Sequence, residues 1–169
     1  MPNVNVYRGS DAMLVMAVDD NSTVEGQSAD SIISEYELSN IVGKLQNVQV
    51  KVESDIKPYH ELGKLYATEL RPGNIDICGS AQRAHINGAL IKLMLGDTAT
   101  TPPGPSPIAQ PSFNIVINIK NPALPENTNK LVLFGVRFDG WSFTLPEDEF
   151  IMESVTFRAM RINVEETSA

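Results

Sequence analysis

The stretch that decides the fold runs from Glu69 to Asp97 and reads Glu-Leu-Arg-Pro-Gly-Asn-Ile-Asp-Ile-Cys-Gly-Ser-Ala-Gln-Arg-Ala-His-Ile-Asn-Gly-Ala-Leu-Ile-Lys-Leu-Met-Leu-Gly-Asp. Residues 71–74 have turn chemistry, because proline presets φ and glycine or asparagine accepts a positive φ. A strand is predicted over residues 75–84, where small residues permit a bulge or a close contact. A short amphipathic helix follows, with Asn87 as its N-cap and Gly96 at its end. It is the only good helix candidate, so we expect it to cover one face of a sheet.

The rest of the chain is predicted to form strands and loops. The apolar run over residues 12–18 favours a strand buried on both faces. In residues 46–55, Val48, Val50 and Val52 alternate with polar residues, which predicts a half-buried strand with one wet face. Further strands are predicted over residues 60–68, 113–120, 130–138, 141–145 and 150–164, with Asp139-Gly140 as a hairpin turn between two of them. The predicted fold class is therefore mainly β: a mostly antiparallel β-barrel or β-sandwich subunit with one short flanking α-helix.

We expect residues 1–169 to form a single domain, since this length suffices for one core. Two segments are predicted to be surface loops. Residues 19–40 are polar with few apolar anchors, and part of this segment, residues 31–38, is a candidate short strand. Residues 102–111 hold five of the eleven prolines, which prevents regular backbone hydrogen bonding.

Charge and cysteine content narrow the classes of protein. The net charge of −8 argues against a protein that binds nucleic acid tightly, because affinity for a polyphosphate comes mainly from cationic residues. A single cysteine, Cys78, excludes an internal disulfide framework and fits folding in a reducing cytoplasm. The sequence contains no signal-peptide core and no apolar run long enough for a membrane segment.

No set of residues predicts a catalytic or metal site. A zinc site needs convergent His, Cys or carboxylate ligands at suitable spacing. The candidates His60, His85 and Cys78 form no Cys-x-x-Cys or His-x-x-x-His pair. Cys78 or Ser80 paired with His85 would be a conceivable nucleophile, but neither lies in a nucleophile elbow, and no phosphate-binding glycine loop is present. We therefore expect no enzymatic activity, no metal and no cofactor.

The composition does not show how the edges of the predicted strands are covered. A mostly antiparallel chain closes its own barrel, hides its edges or offers them to neighbours. The wet faces of the strands at 46–55 and 113–120 carry polar residues, which suits an assembly that encloses water.

Two segments resemble the tail tube (core tail) proteins of long-tailed bacteriophages, particularly those with contractile tails. The first is Pro-Gly-Asn-Ile-Asp-Ile-Cys-Gly-Ser-Ala-Gln-Arg-Ala-His-Ile-Asn-Gly-Ala-Leu from Pro72, and the second is Phe-Ile-Met-Glu-Ser-Val-Thr-Phe-Arg-Ala-Met-Arg-Ile from Phe150. In that family a Gly-Ser-x-x-Arg-Ala strand leads into a helix, and a phrase like Met-Glu-x-Val-Thr-Phe recurs near the C-terminus. The matching motif residues here are Gly79, Ser80, Arg83, Ala84 and Gly88 in the first segment and Met152, Glu153, Val155 and Phe157 in the second. The proline-rich segment at 102–111 departs from the family pattern.

The resemblance implies a structural virion protein whose hexameric rings share one inner β-barrel. The rings stack into a hollow tube around the tape measure protein, and phage DNA passes through it into the host cell without specific binding. The implied partners are further copies of the chain, the tail sheath and the baseplate. The implied location is the virion tail, after synthesis in the host bacterial cytoplasm. The alternatives are the inner tube of a phage-like contractile injection or secretion particle, and a monomeric small-molecule-binding β-barrel.

Alternation in the strand at 46–55 assigns candidate lumen-facing side chains. These are Gln49, Lys51, Glu53 and Asp55. The strand at 150–162 is the alternative source of the lumen wall. The segments 19–40 and 102–111 are predicted to contact the next ring or the sheath.

Overall fold

A computed structural model gives the fold for residues 6–40, 42–43, 45–102, 104 and 109–167. Within these residues the strands are β1 (Ala12–Val18), β2 (Leu45–Ser54), β3 (Lys57–Tyr59), β4 (Glu69–Arg71), β5 (Ile75–Ala84), β6 (Phe113–Lys120), β7 (Thr128–Thr144), β8 (Met152–Ala159) and β9 (Arg161–Thr167). The helices are α1 (Val24–Glu35) and α2 (Ala89–Leu95), with short 3-10 helices at Gly9–Asp11 and Gly96–Ala99. Residues 103 and 105–108 of the proline-rich segment lie outside the described part of the chain.

The long strand β7 belongs to two sheets and joins them. Its first half pairs with β6 on one side and β9 on the other, and β6 pairs onward with β1; we call this group sheet A. Its second half pairs with β8, which continues to β5 and β2; we call this group sheet B. All of these pairs are antiparallel, and together the strands form a curled half-barrel. Strands β3 and β4 form a separate two-stranded hairpin between β2 and β5.

The core lies between the two sheets and the two helices. Phe138 packs edge-to-face on Phe113 with 5.0 Å between ring centroids, and Phe157 lies on its other side. Helix α1 contributes Ile33, and helix α2 contributes Leu93, each at most 2% exposed. Burying a side chain of this size contributes about 1.5–3 kcal/mol, so this cluster holds the helices on the sheets.

Helix α1 corrects the prediction that residues 19–40 form a loop with a candidate strand at 31–38, and the described residues contain two α-helices rather than one. Thr23 caps the helix by accepting a hydrogen bond from the Gly26 N–H at 3.1 Å. Ala29, Ile32 and Ile33 are buried at the i, i+3, i+4 spacing of one helix face. The surrounding serines and the glycine make the segment polar overall, so its composition does not indicate a buried helix face.

Three predictions about strands in the middle and late parts of the chain were also wrong. Residues 60–68 form the connecting loop between β3 and β4 rather than a strand, and Gly63 turns there with φ of 81°. Asp139-Gly140 is not a hairpin, because β7 continues through it with a register shift between Phe138 and Gly140. The predicted strands at 130–138 and 141–145 are therefore one strand, whereas the predicted strand at 150–164 is divided into β8 and β9.

Other predictions agree closely with the structure. Strands β1, β5 and β6 have the predicted bounds, although β1 buries only one face, since Met13 remains 48% exposed. Helix α2 ends at Gly96, whose φ is 61°. Its N-cap is Gly88 rather than Asn87, but the Asn87 side chain still accepts a hydrogen bond from the Ala89 N–H at 3.2 Å.

Candidate functional site

Sheet B has one apolar face and one polar face. Ile77 and Arg83 of β5 point into the core, and their cross-strand partners lie on the same side of the sheet. The alternating residues therefore form the opposite face, which we call the polar face. It carries mainly Gln49, Lys51 and Glu53 from β2, Asp76, Cys78, Ser80 and Gln82 from β5, Ser154, Thr156 and Arg158 from β8, and Arg137, Asp139 and Ser142 from β7.

Two of the three cations of the polar face, Lys51 and Arg158, are paired with carboxylates. Lys51 Nζ lies 2.6 Å from Glu53 Oε1, and the hydrogen bond and charge of Glu53 raise the pKa of Lys51. Arg158 Nε donates to Asp139 Oδ2 at 3.4 Å, and Thr156 also donates to Asp139. Asp76 adds a third carboxylate. Arg137, opposite Arg158 across the ladder, is exposed and has no ion pair among the described residues. With three carboxylates and three cations, the described polar face carries no net formal charge.

Three of the four predicted lumen residues, Gln49, Lys51 and Glu53, lie on this polar face. Asp55 lies one residue beyond β2, and its backbone N–H donates to the Asn74 carbonyl. Asp139 and Arg158 also lie on this face but were not among the predicted lumen residues. They lie 19 positions apart on the consecutive strands β7 and β8, and the register between these two strands brings them together.

The two motif segments meet in a buried ionic cluster. Arg83 Nε donates to Glu153 Oε1 at 2.6 Å, and both side chains are at most 1% exposed. Trp141 Nε1 donates to Glu153 Oε2 at 3.0 Å, and His85 Nδ1 lies 3.1 Å from the same oxygen. Arg83 also donates to Asn87, which links the cluster to the start of α2. These contacts join β5, β7, β8 and α2 through one carboxylate.

The remaining motif residues lie on both faces of sheet B and at the start of α2. Gly79 faces Phe157 across the ladder, and a Cβ atom on Gly79 would lie 2.5 Å from the Phe157 ring and 2.3 Å from the Gln49 carbonyl oxygen. Only glycine fits there. Val155 is buried in the core, while Ser80, Ala84 and Met152 alternate to the opposite side of the sheet, and Gly88 caps α2.

Sheet B ends in two edges without a strand partner in the described chain. One is the outer edge of β2, which pairs only with β5. The other is the second half of β7, residues 137–144, which pairs only with β8. One carbonyl on β7, that of Phe138, accepts a hydrogen bond from the Gln110 side chain. Unpaired edges of this length are able to pair with another chain.

The residues considered for chemistry do not converge. His85 contacts Glu153 on the core side, whereas Cys78 and Ser80 lie on the polar face. In the described part of the chain, no three His, Cys, Asp or Glu side chains are grouped as metal ligands. No helix in the same part is long and apolar enough to span a membrane.

Neither a protein-family model nor a curated protein matches the sequence. Solved structures do match the fold over nearly the whole chain. The cap that terminates the anti-feeding prophage tube matches with a TM-score of 0.63 and 9% identity, covering 99% of this chain and 95% of that chain. A chain of the PVC extracellular contractile injection system's sheath–tube complex gives 0.58 and 11%, with 96% and 91% covered.

The SPP1 tail tube matches with a TM-score of 0.58 and 9% identity, covering 97% of this chain and 80% of that chain. At such identities the likeness concerns the fold alone. The described chain therefore has the mainly antiparallel, half-barrel fold of tail tube and tube-terminator proteins.

Proposed function

We propose that this protein is the repeating subunit of a hollow tail-type tube, a structural role without catalysis. Six copies, the number implied by the resemblance to tail tube proteins, join sheet B into one inner barrel. The observation that carries the proposal is a four-stranded sheet with one polar face and two edges that have no strand partner within the described chain.

The strand directions favour such a ring. Sheet B contains an even number of strands, and neighbours alternate in direction. Its two outer strands, β2 and the second half of β7, therefore run in opposite directions. When copies are related by rotation about an axis, β2 of one copy meets β7 of the next in the antiparallel sense. Closure removes both edges from solvent, which a monomer leaves exposed.

In this ring the polar face lines the lumen and the core face carries sheet A and the helices outward. The lumen-facing side chains would include Gln49, Lys51 and Glu53, with Asp55 at the rim. Two of the three cations of the polar face support passage of DNA, since a phosphate would have to displace a carboxylate to bind Lys51 or Arg158. Arg137 has no such carboxylate among the described residues, but three carboxylates balance the three cations of the face. We propose that phage DNA passes through this lumen without specific binding.

The partners follow from this role. The tube would enclose a tape measure protein, carry a sheath outside and start at a baseplate, within the virion tail and after synthesis in the host bacterial cytoplasm. The sheath–tube complex among the similar structures is consistent with a sheath partner. The segments 19–40 and 102–111 remain our predicted contacts with a neighbouring ring or the sheath.

The second candidate role is the inner tube, or its terminating cap, in a contractile injection particle that carries an effector. The likeness to the anti-feeding prophage cap favours it. The two roles share sheet B and differ in cargo and in whether further rings can be added.

Negative-stain electron microscopy of the purified protein over rising concentration tests the proposal. We expect rings of six subunits and stacks of such rings, with sedimentation rising steeply from the mass of a single 18.5 kDa chain. A single chain at every concentration, together with a folded interior that binds a small molecule, would contradict the proposal.

A further inference from the structure

Arg137 lies on the free edge of sheet B, and its charge has no ion-pair partner among the described residues. It is the first residue of the half of β7 that pairs only with β8, and its side chain is exposed. Its cross-strand neighbour on β8 is Arg158, a second cation. Like charges directly opposite each other across a ladder destabilise it. A carboxylate on the open side of β7 would therefore stabilise this position.

The other free edge of sheet B, that of β2, ends in carboxylates. Glu53 lies in the last part of β2, and its carboxylate is held by Lys51 at 2.6 Å. Asp55 follows the strand with its backbone still in register, since the Asp55 N–H donates to the Asn74 carbonyl at 3.0 Å. Among the described residues the Asp55 carboxylate pairs with Lys57 alone, at 3.9 Å, and both side chains are exposed. Asp55 is thus the more available of the two carboxylates for a contact with another chain.

The pairing within sheet B relates the positions of its two free edges. Arg137 is opposite Arg158, Arg158 is opposite Cys78, and Cys78 is opposite Lys51. If copies met without a stagger, Arg137 of one copy would therefore face Lys51 of the next, again a cation. Strands that close a barrel are tilted, so the register shifts by a fixed number of residues from one copy to the next. An even shift keeps the polar side chains of all copies on one face.

The tilt of barrel strands selects a shift of four residues per copy. With a rise of about 3.4 Å per residue and about 4.8 Å between strands, shifts of two, four or six residues across four strands tilt them by about 20°, 35° or 47°. Barrel strands are typically tilted by about 35–45°. Towards the end of β2, a shift of four places Arg137 opposite Asp55, whereas a shift of six places it opposite Lys57. In the other direction, most of residues 137–144 would extend past the beginning of β2 and stay unpaired.

We propose that Arg137 of each copy forms an ion pair with Asp55 of the next copy in the ring. This inference rests on the proposed function and assigns the register of its lateral contact. The two residues are positioning residues, because their attraction favours one stagger of β2 against β7 over the stagger that brings cations together.

The core side of sheet B supports the same register. Val52 of β2 is 50% exposed and Phe143 of β7 is 42% exposed, although both point to that side. With a shift of four residues, Trp141 and Phe143 of one copy lie opposite Val52 and Val50 of the next. The contact therefore joins apolar side chains on one face of the sheet and opposite charges on the other.

Exchanging the charges tests the ion pair. Arg137→Glu and Asp55→Arg each put like charges at every lateral contact, so we expect either variant alone to need about tenfold more protein to form rings at low salt. In an equal mixture, every contact between unlike variants joins opposite charges, and we expect rings of alternating variants at the original concentration. Negative-stain images count the rings. The matched control, Lys120→Glu, makes the same change in charge as Arg137→Glu on an exposed residue of sheet A and should form rings like the original protein.

Disulfide formation between copies measures the register directly. With Cys78→Ser as background, we expect the pair Asp55→Cys and Arg137→Cys to be linked by a mild oxidant, because residues opposite each other on adjacent strands lie within disulfide distance. The pair Glu53→Cys and Arg137→Cys, which a shift of two would link, should stay unlinked on denaturing gels. Rings from both charge variants at the original concentration, or linkage through position 53 instead of 55, would overturn the inference and leave the ring proposal standing. Absence of rings from the original protein would overturn both.

Discussion

The residue that joins the most parts of this molecule is Glu153. It is fully buried and accepts hydrogen bonds from Arg83 and Trp141. We expect Glu153→Gln to lower the free energy of unfolding by about 3–5 kcal/mol, because the neutral amide leaves the buried Arg83 guanidinium without its counter-charge. Urea denaturation followed by circular dichroism measures the change.

The matched control for this substitution is Glu53→Gln. It also removes a carboxylate from an ion pair, but Lys51 and Glu53 are both more than half exposed. Exposed pairs contribute about 0–1 kcal/mol, so its unfolding midpoint should hardly move. Equal effects of the two substitutions would show that the buried ion pair stabilises the fold no more than the exposed pair does.

Two members of this cluster could be identified from the sequence, but the contact between them could not. Arg83 and Glu153 were named through the resemblance to tail tube proteins, yet they lie 70 positions apart. The register between β5 and β8 brings them together, and side-chain alternation within one strand carries no information about register. The same limit explains why Asp139 and Arg158 on the polar face were missed.

At the scale of elements, prediction succeeded where local chemistry alone determines the structure. Strand β5 follows a turn with Pro72 and Gly73 and alternates in a clear pattern, so its bounds were predicted correctly. Helix α1 was missed because serines and Gly26 interrupt its apolar face and its stability comes from packing on the sheets. Strand β7 was divided because Asp139-Gly140 favours a turn locally, whereas pairing with β8 carries the strand through it as a bulge.

The free edge of β2 gives a prediction at this scale. Successive N–H groups of a strand point to opposite edges, so at Gln49 and Val50 one N–H faces β5 and the other faces outward. We expect one of the variants Gln49→Pro and Val50→Pro to lose a ladder bond and unfold more easily. The other should fold normally, because proline is tolerated on a solvent-facing edge, yet fail to close rings.

Thermal unfolding and negative-stain imaging of both proline variants distinguish these results. Alanine at the same two positions serves as the control, since it removes each side chain but keeps the N–H. Normal rings from the proline variant that folds normally would show that β2 is not the strand that joins neighbouring copies.

At the scale of the whole molecule, which has a net charge of −8, the polar face holds two of its three cations, Lys51 and Arg158, in ion pairs. Removing the carboxylate partners of these cations should let the cations bind phosphate, so that the lumen retains DNA. The variant combining Glu53→Gln with Asp139→Asn leaves Lys51 and Arg158 without their carboxylates. We expect its tubes to retain short duplex DNA about tenfold more than the original tubes at low salt, and to release it as salt rises. Co-sedimentation of labelled duplexes with tubes measures both.

The control for this variant makes the same change in charge away from the polar face. Glu35→Gln with Glu165→Gln frees Lys92 and Lys130, which pair with those carboxylates at the helices and in sheet A. A concave wall focuses the field of its charges, whereas cations on the outer surface are screened individually, so the control should retain much less DNA. Equal retention by the two variants would mean that the polar face does not line the channel, and the wall would then have to be formed by another part of the chain.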